Sequence, residues 1–529
     1  MPIKLSEYLK HPFKLYFLLA AITIFTSLSL INCDSENPLA SPPAPGDPAL
    51  TVADVEQMII QAVNRANKLG DTISVAVLDR EANVLGVFNM TGVDPQFIDS
   101  ALLGSIAKAR TAAYLSSNQH GFTTLTAAYI TRPHFPPGVD NTPGGPLYGV
   151  PQSSIGGGDV QPNGDLLAGR PATGEQGLTG VPGGIPIFKN NALAGGIGIS
   201  GGGGLSNFNL DLCQGIINDE IIALGAASGF SVDDGLRGDN IFIDGIRFLF
   251  SNGEAESAGP GMTTMAEALT LGTIDVRFPI RATPPAKFPI PFGDVNLGAG
   301  FDFRPKAGSI LSLAQVQQII NQAVAQADKT RAAIRRPIGS PARVFITVVD
   351  IDGTVLGIHR TRDATLFSYD VSAQKARTVV AYSRTDHPLG IDLRVKLGLS
   401  AAQPLAMSCR AVGFLAQDFF PPGIDEETLG REIMEGPLFQ GQEFQLQKDL
   451  GTAPYGNGIT IFPGGVPLYI NGVLVGGIGV SGDGVDQDDI ICFAGSVGFE
   501  PPESIRCDQF MFDEVRLPYV KFPRQPELE

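Results

Sequence analysis

Pro182-Gly-Gly-Ile-Pro-Ile-Phe188, Lys189-Asn-Asn-Ala-Leu-Ala194 and Gly195-Gly-Ile-Gly-Ile-Ser-Gly201 form one continuous stretch that the chain uses twice. The second version reads Pro463-Gly-Gly-Val-Pro-Leu-Tyr469, Ile470-Asn-Gly-Val-Leu-Val475 and Gly476-Gly-Ile-Gly-Val-Ser-Gly482. Apolar residues alternate with glycine or polar ones on either side of a short polar turn, which predicts a β-hairpin with one buried face per arm. The glycines strip the other face of side chains, so a second backbone, a helix or a flat ligand can lie against it. Because the surrounding sequence also repeats, the chain reads as a tandem duplication.

Working outward, copy one (51–250) opens with a helix predicted from Thr51, with Val55, Met58, Ile59, Ala62, Val63 and Ala66 at helical spacing. A strand over 73–79, a turn at Arg80–Asn83 and a returning strand over 84–88 follow. A second helix runs from about Asp99 to Leu115 and holds Lys108-Ala-Arg-Thr111. After a Gly/Pro-rich excursion come the glycine hairpin, a helix over 219–229 and a strand over 241–247. Copy two (311–520) repeats this order with a helix over 313–327, a hairpin over 344–358, a helix holding Lys375-Ala-Arg-Thr378, the second glycine hairpin, a helix from Asp488 and a strand over 510–516. The excursions share Phe135-Pro-Pro-Gly with Phe420-Pro-Pro-Gly, and Gly145-Pro-Leu with Gly436-Pro-Leu, so they read as ordered covers or contact surfaces. The linker (251–310), rich in Pro, Phe and Gly, favours extended chain strapped over one domain. The predicted fold class is α+β: two tandem domains, each an antiparallel sheet covered by helices, packed as a pseudo-dimer.

At 529 residues the chain has room for about two or three domains. Its 43% apolar and 17% charged composition is globular. A net charge of −17 argues against nucleic acid or an anionic lipid surface as partner. At the N-terminus (1–32), Lys4, Lys10 and Lys14 precede the apolar run Leu15–Ile31, and Cys33 follows, the pattern of an exported lipoprotein with Cys33 lipidated or, alternatively, of an uncleaved anchor or an ordinary signal peptide. A Pro/Ser/Ala-rich tether (33–50) would then join an envelope lipid anchor to the domains, and 521–529 forms a tail. Cys492 and Cys507 could close a short disulfide loop or be buried thiols; Cys213 and Cys409 have no assigned partner.

Gly196-Ile-Gly-Ile-Ser-Gly201 and Gly477-Ile-Gly-Val-Ser-Gly482 spell a dinucleotide fingerprint, but they lie within a strand and precede helices that start with acidic residues, so a phosphate site is not expected. Lys108 with Thr111, and Lys375 with Thr378, lie on one helical face. The lysine and hydroxyl could bind an acidic ligand, or the basic residues (Arg110 and Arg377 included) could be solvated while the threonine bonds to its own helix. His120 and His387 each lie nine residues past those threonines. Each is a candidate iron or metal ligand or, alternatively, an exposed histidine or one capping the C-terminal end of a helix. Asp79 and Asp350 are expected to form turns. Ser200 and Ser481 have no triad partners at recognisable spacing.

The order strand-Asp-turn-strand, Lys-Ala-Arg-Thr, Gly-Gly-x-Pro, then Gly-Gly-Ile-Gly-[Ile/Val]-Ser-Gly before an acidic helix resembles the GlcG/HbpS-like haem-binding family over roughly 51–229 and 311–499. The resemblance implies profilin-like α+β domains that assemble into oligomers and bind haem, with members tied to its degradation or sensing and a related domain that binds corrinoid. It implies a surface for a planar tetrapyrrole or small acidic ligand in each copy, with Gly198, Ser200, Gly479 and Ser481 on the ribbon, Lys108, Arg110, Thr111, Lys375, Arg377 and Thr378 beside it, and the chain alone or as a homo-oligomer. Related domains carry a ligating histidine near the first helix. Neither copy does here, so His120 and His387 stand as substitute ligands. The expected function is storage, sensing or relay of haem in the cell envelope. The alternatives are an enzyme that degrades haem or acts on a small organic acid, and a structural envelope protein.

Overall fold

The computed structural model describes residues 48–93, 104–148, 178–202, 208–209, 211–253, 261–285, 304–417, 420–422, 436–438 and 459–521. The expected signal segment, Cys33 and most of the tether lie outside these residues, as do the start of the second helix and much of the excursions.

Copy one begins with α1 (Val52–Leu69). Thr51 Oγ1 accepts from Asp54 N–H while Asp54 accepts from Thr51 N–H, satisfying donors that the helix leaves open, and Gly70 ends it at φ 76°. β1 (Ser74–Asp79) and β2 (Val84–Met90) are joined by a turn that Asp79 organises by accepting from the N–H groups of Glu81 and Asn83. Then come α2 (Ser105–Tyr114), α3 (Thr124–Ile130), β3 (Gly184–Lys189) and β4 (Ala192–Ser200). The turn between β3 and β4 places Asn190 and Asn191 at φ 53° and 58°, the backbone that twisted two-residue hairpins require. A two-residue pair, β5 (Phe208–Asn209) with β6 (Gln214–Gly215), precedes α4 (Asn218–Ala226).

The expected strand over 241–247 is instead a miniature hairpin, β7 (Phe242–Ile243) and β8 (Ile246–Arg247), folded at Asp244-Gly245, both with positive φ. The linker is not wholly extended: α5 (Met265–Ala268) leads into β9 (Gly272–Ile274), which pairs with β2 and extends the sheet to β3-β4-β1-β2-β9.

Copy two repeats the plan with α6 (Leu313–Ala327), β10 (Phe345–Asp350), β11 (Val355–Arg360), α7 (Phe367–Ser383), α8 (Pro388–Lys396), α9 (Cys409–Phe414), β12 (Gly465–Ile470), β13 (Val473–Ser481) and α10 (Val485–Gly495). Its expected last strand is likewise a hairpin, β14 (Met511–Phe512) with β15 (Val515–Arg516). The sheet order is β11-β10-β13-β12, all antiparallel. The registers coincide: Ser74 faces Ser200 and Asp79 faces Gly195 in one copy, and Phe345 faces Ser481 and Asp350 faces Gly476 in the other.

Each sheet is covered on one face by its first and last helices, α1 with α4 and α6 with α10, over separate apolar cores. The other face carries α2 or α7. Between the copies one continuous core joins Ala76, Leu78 and Tyr114 to Phe345, Tyr369 and Val380. Its rim is polar and buried: Arg80 Nη2 lies 2.6 Å and Arg335 Nη1 2.8 Å from the carboxylate of Asp363, and Gln119 Nε2 donates to the Arg336 carbonyl at 3.0 Å. The copies therefore share an interior.

Candidate functional site

The two repeated motifs meet inside each domain. Lys108 Nζ donates to Asp219 Oδ2 at 2.7 Å and to the Ile199 carbonyl at 2.8 Å. In copy two Lys375 Nζ donates to Asp488 Oδ2 and the Val480 carbonyl, both at 2.8 Å, and lies 4.9 Å from the centroid of the Phe462 ring. The lysines thus neutralise the acidic helix starts, and both are buried inside their own domains. The threonines hold local structure: Thr111 Oγ1 donates to the Ala107 carbonyl and accepts from Thr179 N–H, and Thr378 does the same with Gln374 and Thr460. Arg110 and Arg377 are buried, with Arg377 Nε donating to the Gly353 carbonyl at 2.9 Å.

The bare ribbon is covered by a helix. A Cβ on Gly198 would stand 2.0 Å from the Ser105 carbonyl oxygen of α2, and one on Gly479 would stand 2.0 Å from that of Ser372 in α7. Those distances are far inside van der Waals contact, so the absent side chains serve helix–sheet approach and leave no space there for a flat ligand. Ser200 and Ser481 are buried at the ribbon ends.

The histidines are also committed. His120 is fully buried beside the interface between the copies. Its Nε2 lies 3.0 Å from the Leu115 carbonyl and its Nδ1 2.8 Å from Ser117 Oγ. A carbonyl can only accept, so Nε2 carries the proton and Nδ1 accepts from the serine. Burial pushes its pKa down to about 3, helped by the Arg335 guanidinium, so the ring is neutral with both nitrogens engaged. His120, expected as an iron ligand, thus has both ring nitrogens engaged within the protein. His387 Nδ1 accepts from Leu389 N–H and caps the start of α8, whereas the expected capping role was at the C-terminal end of a helix. All four cysteines among the described residues are buried free thiols, which decides between the two readings of Cys492 and Cys507.

What the structure does open is a cavity of about 630 Å³ between the copies. Copy one supplies Leu115, Phe122, Phe135 and Phe248, with Gly145–Tyr148 from the excursion. Copy two supplies Phe367, Ile461 and Phe462, together with Ser481, the first turn of α10 and Arg410. Phe367 and Phe462 stack at 6.4 Å with planes 13° apart, a flat aromatic wall. Arg331 and Lys521 are exposed at the rim. Arg410 Nη2 pairs with Asp486 at 2.6 Å and its Nε with Asp489, and Lys521 Nζ reaches Asp486 at 2.7 Å. Burial pushes the Asp488 carboxyl up to about 7, against the pull of Lys375. Of the expected site residues only Ser481 lines this space. Its other walls went unnoticed in the sequence, although the shared Phe-Pro-Pro-Gly and Gly-Pro-Leu segments were the available signal. The described residues contain no cluster of histidine, cysteine and acidic side chains placed to hold a metal.

A family described as "Haem degrading protein HbpS-like" matches residues 50–207 and 311–496. The chain belongs to this HbpS-like family, in two copies. Curated relatives include the corrinoid adenosyltransferase PduO of Citrobacter freundii, 30% identical over 159 residues (30% of this chain, 33% of that protein). The corrinoid adenosyltransferase PduO of Salmonella typhimurium is 28% identical over the same shares. The chain spans about a third of the length of these relatives. Among solved structures, the PduOC:heme complex is 22% identical, with 36% of this chain and 95% of that one covered and a TM-score of 0.22. A double mutant of Streptomyces reticuli HbpS is 20% identical, with 36% and 88% covered and a TM-score of 0.20. As an HbpS-like tandem, the protein has this cavity at the junction of its copies.

Proposed function

We propose that the protein binds a planar tetrapyrrole in the cavity between its copies and stores, senses or relays it. The observation that carries this is the cavity: its volume lies within the roughly 300–1,000 Å³ of small-molecule sites, and its lining is apolar and aromatic with a few convergent charges. The family's description names haem, and the matched relatives are named for a corrinoid, also a tetrapyrrole. We read each copy as a profilin-like unit, and the pair as standing in for a homodimer. The cavity suits the ligand's plane and, at Arg331 and Lys521, its carboxylates. Among the described residues it has no histidine or cysteine in its lining to serve as an axial ligand. Export and a lipid on Cys33 are part of this proposal and rest on the N-terminal sequence alone; Cys33→Ser should move the protein from the membrane to the soluble fraction.

The test is titration of the purified full chain with protoporphyrin IX and haemin, read by absorbance, beside Val485→Trp. That side chain lines the cavity from α10, and the larger ring should fill it. Saturable binding lost in the variant supports the proposal; no binding by the unaltered chain, or binding untouched by the variant, removes it.

A further inference from the structure

One wall of the cavity belongs to copy two alone. In copy one, α1 and β1 are joined by residues 70–73; in copy two, α6 and β10 are joined by residues 328–344. The added loop supplies Arg331, Ala333 and Ile334 to the lining. It is tied down on both sides of Arg331. Ala342 N–H donates to the Thr330 carbonyl at 2.7 Å, and the N–H groups of Ala332 and Ala333 donate to the Ser340 and Asp483 carbonyls, both at 2.9 Å. Further on, the buried Arg335 guanidinium pairs with Asp483 and Asp363, and Arg336 N–H donates to the Gln119 carbonyl of copy one at 3.0 Å. A loop held this closely pays little further ordering entropy when a ligand meets it.

The cations around the cavity are not equally free. Arg410 is shared by Asp486 and Asp489, and Lys521 pairs with Asp486. Arg331 is exposed, and among the described residues no carboxylate pairs with it. An arginine fork matches the two oxygens of a carboxylate, and an unpaired one gives up no protein partner to take it. The centre of a macrocycle meets nothing comparable. Of the five histidines in the sequence, His120, His134, His359 and His387 lie outside the lining, and His11 belongs to the N-terminal segment. The described lining also holds no cysteine or methionine, and its one tyrosine, Tyr148, is buried with the base of its ring against Gly144. Haem iron is ordinarily held by one of these side chains, so the residues present fit the edge of the ligand better than its metal. Resting on the tetrapyrrole reading above, we infer that the cavity recognises its ligand by the carboxylate edge, through Arg331 on the added loop, and not by the central metal. The flat ring lies along Phe367 and Phe462. The ligand class is then a carboxylate-bearing porphyrin with or without a metal. A ring held without a bond from protein to metal passes intact to a protein that does supply one, so among storage, sensing and relay the arrangement favours relay.

The experiment titrates the full chain with protoporphyrin IX, zinc protoporphyrin IX and haemin, read by absorbance and, for the first two, by porphyrin fluorescence. The three dissociation constants should agree within about three-fold, because no protein–metal bond separates them. Added imidazole should shift the Soret band of bound haemin without releasing it, since the iron has an axial position to offer. Arg331→Gln should weaken all three alike, by about five-fold or more, and Arg331→Lys should recover only part of that. Lys521→Gln, which removes a cation already paired, should cost less than about two-fold. Arg331 is exposed, so its replacement should leave the far-UV circular dichroism unchanged. Haemin or the zinc porphyrin binding at least about ten-fold more tightly than the metal-free ring overturns the inference. A folded Tyr148→Phe that alters the Soret band of bound haemin overturns it too, as does an Arg331→Gln that binds all three like the unaltered chain. If Val485→Trp abolishes binding in any of these cases, the tetrapyrrole reading survives without this mode of recognition. If no porphyrin binds the unaltered chain, both fall together.

Discussion

Replacing Lys375 by methionine tests the buried pair at the centre of copy two. The lysine side chain is 0% exposed and that of Asp488 4%, and the ammonium also serves the Val480 carbonyl. Methionine keeps much of the volume and removes the charge. A buried carboxylate that loses its cation costs about 3–5 kcal/mol while it stays ionised. It can escape that cost by taking a proton. Burial already holds its folded pKa at about 7, above the ordinary 3.8, and loss of Lys375 raises it further. A carboxyl with a raised folded pKa binds more protons folded than unfolded between those two values, so its contribution to stability falls as pH rises through that window. Lys375→Met should therefore cost about 3–5 kcal/mol at pH 8. At pH 6 the acid is neutral and the cost should shrink to about 1–2 kcal/mol, mainly the lost bond to the Val480 carbonyl. Lys375→Met with Asp488→Leu should recover most of the loss at pH 8, because an apolar pair of similar volume replaces a buried ion pair at little cost. Urea unfolding followed by far-UV circular dichroism reads this directly; the chain has no tryptophan. A loss below about 1 kcal/mol at pH 8, or equal losses at both pH values, would refute the reasoning.

The glycine ribbon should be intolerant: Gly198→Ala or Gly479→Ala forces a Cβ onto a helix carbonyl and should cost about 3 kcal/mol or more, seen as a lowered Tm or loss of soluble protein. Gly70→Ala, where nothing lies within 4 Å but φ is 76°, should cost only about 1 kcal/mol in the same assay. Asp363 joins the copies, and its charged neighbours Arg80 and Arg335 outweigh burial to hold its pKa at about 2. Its contribution should be present above about pH 4 and fade as pH falls toward 2, and Asp363→Asn should cost about 3–5 kcal/mol at pH 7, measured by urea midpoint. His120→Ala should lower stability by about 2–4 kcal/mol without weakening tetrapyrrole binding by titration, and His387→Ala should lose about 1 kcal/mol of capping.

Much of the fold was legible because it is written in local rules. The span of α6 followed from its apolar period, and the turns at Asn190-Asn191 and Asn471-Gly472 from residues that tolerate positive φ. What covers the ribbon was not legible, because helix and ligand both demand a missing Cβ. The one hint was small residues on the covering helix, Ala107, Ala109, Ala112 and Ala113. The role of Lys108 was hidden by distance: its carboxylate lies 111 residues away, and the acidic helix start was read only as repelling phosphate. The closing hairpins were misread as strands although Asp244-Gly245 carried a turn signal. The short helices α3, α8 and α9 were missed inside Gly/Pro-rich sequence, despite capping hydroxyls at Thr123 and Ser408. Of the cavity only the repeated Phe-Pro-Pro-Gly and Gly-Pro-Leu segments left a mark in the sequence, since its walls come from segments hundreds of residues apart.

Fusion of the copies into one chain explains why their inner sites differ. Ser408 and Thr123 cap equivalent helices, so Arg410 occupies the place of Leu125. Lys521 and Asn252 are equivalent likewise, each giving its N–H to the acidic residue that follows the lysine-paired aspartate, Asp489 or Glu220. Copy two therefore has Arg410 and Lys521 set among Asp486 and Asp489, beside the cavity. In copy one the arginine is lost, and burial pushes Glu220 up to about 7 while its Oε1 has no hydrogen bond. An identical homodimer would have to change both sites at once. A duplicated chain can set Arg410 and Lys521 beside the cavity in copy two and leave Leu125 and Asn252 at the equivalent places in copy one, so the two sites need not bind the same thing, or bind at all.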